Sequence, residues 1–210
     1  AIVMTIGDSF EDQFSDKSYG FREGRNCQQA VQRAQKYIED GNRWVVEMDL
    51  SKFFDRVNHD ILMDRVSRVI DDKAILKLIR RYLNAGIMED GLVSPRLEGV
   101  PQGSPLSPLL SNIMLTELDR ELEERGLNHV RYADDCNIYV KSEKAAQRVL
   151  TNITKYVEGT LKLRVNRDKS GTFRPRDSVF LGYTFSKANC TRIIVAQKSV
   201  KRLWTKLHKI

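Results

Sequence analysis

Little in this chain could staple or anchor it. Its three cysteines, Cys27, Cys136 and Cys190, are scattered, with no CxxC pair and no histidines at zinc spacing. That excludes a disulfide framework or a zinc ribbon and points to reduced thiols in a bacterial cytoplasm. No run approaches the roughly 20 apolar residues of a membrane span, and no secretory leader opens the chain, so no membrane partner is expected. Repeats and low-complexity tracts are absent. Acid is missing from one stretch: residues 178–210 hold seven basic residues and no Asp or Glu, so the whole net charge of +7 lies there and residues 1–177 balance. A basic tail behind a neutral body suits a phosphate backbone, and a solvated basic helix face accounts for it equally well. Ala1 opens within an apolar-periodic stretch (Ile2, Ile6, Phe10), and helix signals run on to Ile210, so the chain reads as a fragment of a longer protein.

The apolar fraction of 41% is enough for one core in 210 residues. Helical spacing predicts helices over 27–40, 60–70, 73–85, 106–125 and 143–158, with Asn26 as a cap and Gly41, Gly86, Gly126 and Gly159 as stops. Alternation predicts strands at 43–49, 128–133, 136–141 and 161–165, and hairpins at 87–98 and 179–196. In the first strand, Trp44, Val46 and Met48 share one face and Val45, Glu47 and Asp49 the other. Asp134-Asp135 falls between two alternating runs, which is a tight-turn signal. With residues 60–98 set aside as an insertion, the order from 43 onward is β-α-β-β-α-β. That is the ferredoxin-like arrangement, an antiparallel sheet with helices on one face. It predicts that Asp49 meets Asp134 and Asp135 at one sheet edge.

Each acid alone reads as a strand end or a turn. Three at one edge repel and raise each other's pKa unless a cation neutralises them. Oxygen donors without His or Cys favour Mg²⁺ over Zn²⁺, and two such ions about 4 Å apart clamp an in-line phosphoryl transfer. Cys136 reads as a small core residue, and His59 and His129 as structural.

Here a family resemblance becomes specific. Tyr132-Ala133-Asp134-Asp135 resembles the YxDD box of reverse transcriptases, and Asp49-Leu50-Ser51-Lys52-Phe53-Phe54-Asp55 resembles their first aspartate motif. Residues 101–110, PQGSPLSPLL, are similar to the intervening motif in the form typical of group II intron reverse transcriptases, or maturases. Tyr19-Gly20-Phe21-Arg22 and Phe180-Leu181-Gly182-Tyr183 resemble fingers and primer-grip blocks. The resemblance implies an α+β fold, with a palm built on a βαββαβ antiparallel sheet and a mostly helical fingers portion. Residues 1–42 would be the end of the fingers, 43–186 the palm with its 60–98 insertion, and 187–210 the start of the thumb. It implies RNA-directed DNA synthesis by a mobile element, with Asp49, Asp134, Asp135 and Lys169 catalytic. Two Mg²⁺ ions would be held by Asp49, Leu50, Asp134 and Asp135, and Lys169 would stand near the leaving pyrophosphate. Arg22, Arg25, Phe53, Phe54, Gln102 and Gly103 would line the dNTP site. Phe54 would be the steric gate, while Phe53 also fits as a core aromatic and the two arginines fit equally as surface residues. Tyr132, Leu181 and Gly182 would face the primer. The expected partners are an RNA template, a DNA primer, dNTPs and group II intron RNA; a homodimer stays open. Glu23 and Ser104 depart from residues common in the family's blocks.

Three other readings are a retron or diversity-generating enzyme, an RNA-binding splicing factor that does not polymerise, and a basic ferredoxin-like RNA-binding module. The module would carry aromatics where this chain carries acids.

Overall fold

A computed structural model describes residues 2–85, 87–89, 92–94, 97–101, 103–186 and 191–208. In chain order the elements are α1 (Ile2–Glu11), α2 (Cys27–Glu39), β1 (Trp44–Met48), α3 (Phe53–Arg56), α4 (His59–Ser67) and α5 (Lys73–Asn84). Then come β2 (Ile87–Glu89), β3 (Leu92–Ser94), α6 (Leu106–Glu124), β4 (Asn128–Tyr132), β5 (Asp135–Val140) and α7 (Glu143–Gly159). The last are β6 (Gly171–Phe173), β7 (Tyr183–Phe185), β8 (Ile193–Val195) and α8 (Gln197–Leu207).

Local chemistry sets many boundaries. Asn26 and Gln29 close a reciprocal capping box on α2, and Asn58, Asp72 and Ser142 cap α4, α5 and α7 through their side chains. Helix α6 has no side-chain cap, and twelve of its nineteen residues are buried. Packing rather than capping therefore holds it.

The four-stranded sheet runs β4-β5-β1-β6, every pair antiparallel, which is the ferredoxin-like order. Val46, Met48, Cys136 and Ile138 join the large core with α6 and α7. Val45, Val130 and Tyr139 face a second cluster with Ala30, Ala34 and Ile38 of α2. Both faces are thus covered, where the sequence pattern predicts helices on one; α2 precedes the β-α-β-β-α-β run, so that pattern could not place it.

The fourth strand also differs. Leu161, Leu163 and Val165 alternate buried with exposed neighbours, yet Lys162 has a left-handed φ of 57° and only Val165 bridges to the sheet, at Leu50. Their alternation records burial, and the pairing strand is β6. The 87–98 hairpin forms between β2 and β3, with its Asp90-Gly91 tip outside the described residues. Helix α8 buries nothing, leaving Leu203, Trp204 and Leu207 exposed among its lysines.

A clamp beneath α3 links the insertion to the site. Gly99 donates its N–H to Val57 (2.7 Å), the next residue, Val100, donates to the Phe54 carbonyl (2.6 Å), and His59 Nε2 donates to the Gly99 carbonyl (2.6 Å). Gly99 has φ 88°, and a Cβ there would stand 2.8 Å from backbone atoms of Phe54 and Asp55. Gly99→Ala should therefore lower the unfolding free energy by about 1–3 kcal/mol. An unchanged denaturant midpoint would show that the clamp carries no strain.

Candidate active site

The register of β1 and β5 builds the acidic edge. Val45 pairs with Tyr139, Glu47 with Asn137 and Met48 with Cys136. Because side chains alternate, Val45, Glu47 and Asp49 share a face with Tyr139, Asn137 and Asp135. One step beyond the last pair, Asp49 comes opposite Asp135. On the reverse face Cys136 is buried in the core and its thiol is pushed well up by that burial, so it is an inert packing group.

The backbone at Asp49 is tied from the segment before β6. Its N–H donates to Ser170 Oγ (3.0 Å), and its carbonyl accepts from Asn166 N–H (2.9 Å) and Ser170 Oγ (3.4 Å). The same segment carries Lys169, whose Nζ lies 3.7 Å from Asp49 Oδ2. With the Lys169 side chain 68% and the Asp49 side chain 30% exposed, this is an open contact rather than a buried ion pair.

The opposing acids sit on a turn one residue earlier than the sequence pattern predicts. Tyr132 pairs with Asp135, which opens β5, and the two-residue loop is Ala133-Asp134. Asp-Asp is the obvious turn pair by composition, yet Ala133 takes the left-handed φ of 57°. A Cβ on Gly20 would overlap the backbone nitrogen of Ala133, so the Tyr19-Gly20-Phe21 segment lies directly on this loop.

Burial raises the carboxyl of Asp134, and Asp49 adds repulsion. At Asp135 burial, then Asp134, Asp49 and Glu47, push the carboxyl up to about 6, against the pull of Lys169. Asp135 keeps an exposed surface, and its charged neighbours add to the larger effect of desolvation. Among the described residues no three His, Cys, Asp or Glu side chains already stand as a ligand set. The fit to a divalent cation lies in the chemistry of the donors: carboxylate oxygens, crowded and partly desolvated.

A cleft of about 320 Å³ holds Asp49, Asp135, Glu47 and Lys169 together with Val179, Phe180 and Lys198. Glu47 accepts the Val179 N–H (3.1 Å) and so anchors the segment leading to the 180–183 turn. There Phe180 and Tyr183 exchange backbone hydrogen bonds of 2.9 Å around Leu181 (φ 52°) and Gly182 (φ 85°), as a type I′ turn requires. Tyr132, half-buried, packs on the same cluster as Leu181. A second cavity, about 490 Å³, is lined by Phe54, Phe21, Gly103, Ser104, Pro105 and Pro108. Gln102 lies outside the described residues.

Three expected nucleotide contacts are engaged within the fold. Phe53 is 2% exposed and belongs to the core, where its ring meets Phe54 edge-on at 5.2 Å. Arg22 is 9% exposed; it bonds Glu11 (2.8 Å) and the carbonyls of Ser15 (2.6 Å) and Ser18 (2.9 Å). Arg25 pairs with Asp16 at 2.9 Å. Both guanidiniums brace the loop between α1 and α2, Arg22 with its side chain nearly buried there and Arg25 through a pair with the largely exposed Asp16. The sequence reading missed Phe21, Glu47, Gly20 and the buried Arg131. Phe21 and Gly20 lie inside a quoted motif; Arg131 sits beside one, with no pattern to mark it as buried.

The family profile described as reverse transcriptase (RNA-dependent DNA polymerase) matches residues 1–185. Protein YkfC of Escherichia coli (strain K12) is 35% identical over 222 residues, covering 87% of this chain and 58% of that protein. Group II intron-encoded protein LtrA of Lactococcus lactis subsp. cremoris is 37% identical over 120 residues, 57% of this chain and 20% of LtrA. The chain thus spans less than two thirds of either relative's length. In three dimensions it resembles telomerase from Candida albicans, solved with a fragment of telomeric RNA, at TM-score 0.67 and 14% identity, over 93% of this chain and 36% of that one. That likeness speaks to the fold.

The raised carboxyl has a consequence for stability. Asp135 binds its proton more tightly folded than unfolded, from an ordinary 3.8 up to about 6. Its contribution to stability therefore falls as pH rises through that window. In metal-free buffer, Asp135→Asn should melt higher relative to the parent at about pH 7.5 than at about pH 4.5. An equal gap at both pH values would mean that Asp135 is not under charge strain.

Proposed function

The chain belongs to the reverse transcriptase (RNA-dependent DNA polymerase) family, and from that premise we propose that it is the polymerase core of a group II intron-encoded enzyme. It would extend a DNA primer on an RNA template with dNTPs and bind its own intron RNA to assist splicing. The observation that carries this reading is the β1–β5 register, which sets Asp49 against Asp135 beside the Asp134 loop. Residues 1–42 would serve as fingers, 43–186 as palm, and 187–210 as the lead into a thumb.

Asp49, Asp134 and Asp135 would hold two Mg²⁺ ions. Leu50 could contribute only its carbonyl, because its side chain is buried in the core. Ions held there would supply the positive charge that activates a primer 3′-hydroxyl and offsets a leaving pyrophosphate. Lys169, exposed beside Asp49, supplies a proton or a positive charge to that same leaving group. Phe54, buttressed edge-on by Phe53 and lining the larger cavity, sets a ring beneath the incoming sugar. A 2′-hydroxyl there meets the ring, which favours deoxynucleotides. Gly103 lines the same cavity, with Gln102 as its expected neighbour. Tyr132, Leu181 and Gly182 flank the path a primer end would take to the cleft. The surplus of cations after residue 177 suits duplex phosphates, where affinity falls steeply with salt.

Primer extension on poly(rA)/oligo(dT) with dTTP and Mg²⁺ tests the reading. Asp134→Ala should abolish synthesis, whereas continued synthesis would place the chemistry elsewhere. A splicing factor that does not polymerise would show no extension in the parent either. Phe54→Ala should retain synthesis and incorporate ribonucleotides by at least about tenfold more, the discrimination worth roughly 1.4 kcal/mol; unchanged selectivity would refute the gate.

A further inference from the structure

Beneath the acidic loop lies a side-chain network that none of the chemistry above uses. Arg131 is fully buried. Its Nε and Nη2 grip both oxygens of Asp119 on α6 (2.8, 3.1 and 2.6 Å), and Asp119 is equally buried. Its Nη1 donates to Asn112 Oδ1 (3.0 Å) and to the carbonyl of Ala133 (2.9 Å), the loop residue in the left-handed conformation. Asn112 in turn donates its amide to the carbonyl of Gly20 (2.9 Å), the residue pressed on the Ala133 nitrogen. The backbone of Arg131 completes the frame, donating to Lys17 and accepting from Tyr19, both at 2.9 Å. His129, 3.5 Å from Asp119, is the other basic group facing that carboxylate.

Stability alone is a poor reason for such a network. A buried ion pair commonly does no better than well-packed apolar residues of the same volume, because desolvation offsets the attraction. An apolar filling would not reach the Ala133 carbonyl, however. The nitrogen of the Arg131 fork that does not face Asp119, Nη1, has two N–H groups and serves both that carbonyl and Asn112. The loop therefore has its carbonyl side held from α6 through Arg131 and its nitrogen side covered by Gly20, which α6 also holds, through Asn112.

We infer that Arg131, Asp119 and Asn112 are positioning residues that preset the Ala133-Asp134 loop for divalent cation binding, and that they bond the 17–20 segment to the same frame. This rests on the polymerase reading for its consequence in synthesis, and on geometry alone for its consequence in metal affinity. Outer groups that orient metal ligands typically change metal affinity 10- to 100-fold when removed.

The test uses the protein in its natural full length, with Asn112→Ala as the main variant. That change deletes the bonds to Arg131 and Gly20 while leaving the ion pair intact, so folding should survive. Arg131→Lys, which keeps the charge against Asp119 and loses the fork, is the second variant. Two readouts are taken against Mg²⁺ concentration: the rise in melting temperature, which needs no catalysis, and the rate of primer extension. Both half-saturating concentrations should increase roughly tenfold, with the KM for dTTP unchanged. Mg²⁺ curves superimposable on those of the parent, with rates merely scaled to the folded fraction, would reduce the network to a structural strut and overturn the inference. If the parent does not synthesise but the melting curves still separate, the polymerase reading fails and the positioning role stands.

Discussion

The molecule is organised around carboxylates that a rigid sheet will not let separate. The pairing of β1 with β5 carries Asp49 opposite Asp135, and the loop between β4 and β5 adds Asp134. Relaxation is blocked on each side. Ser170 and Asn166 bond the backbone of Asp49, while Gly20 and the Arg131 guanidinium confine Ala133. Burial, with the repulsion between them added to it, holds the Asp135 carboxyl up at about 6. A fold selected only for stability would place other side chains there. The cost makes sense where a divalent cation is the intended third party.

The same logic explains how the rest of the chain is distributed. Helix α6 is buried nearly all round, so it serves as the common reference. It backs the sheet through Met114 and Leu118, carries Asp119 and Asn112 beneath the loop, and starts at the turn that lines the cavity facing Phe54. The clamp from Gly99 and Val100 seats α3 from below, and with it the Phe54 ring. The acidic cleft is anchored on β1 and β5, and the second cavity on α3 and α6, with Phe21 and residues 103–105 adding loop walls.

Much of this was legible in the sequence because it is written in local periodicity or in contiguous motifs. The helices α2 and α4 to α7, the β4–β5 hairpin and the meeting of distant acids follow from apolar spacing, capping residues and strand order. The failures share a cause: each depended on what a side chain touches at long range. Leu161, Leu163 and Val165 alternate because an extended segment lies on the core, and alternation cannot distinguish that from a paired strand. For Arg22 and Arg25 the sequence leaves a phosphate role and a surface role equally open, and only the fold brings Glu11 and Asp16 beside them. Phe53 and Phe54 are adjacent and alike, and only the turn of α3 sends one into the core. Arg131 is the sharpest case, since nothing in a lone arginine beside an aspartate motif signals a fully buried guanidinium.

The convergence of Asp49 with the 133–135 loop around a cation can be read directly by replacing Mg²⁺ with Fe²⁺ and generating hydroxyl radicals from it with ascorbate and peroxide. Backbone scission should concentrate next to Asp49 and within the Ala133-Asp134-Asp135 segment together, and excess Mg²⁺ should suppress both cuts in parallel. Scission at one of the two segments alone, or at neither, would mean that these acids do not share an ion, and the account built on them would fall.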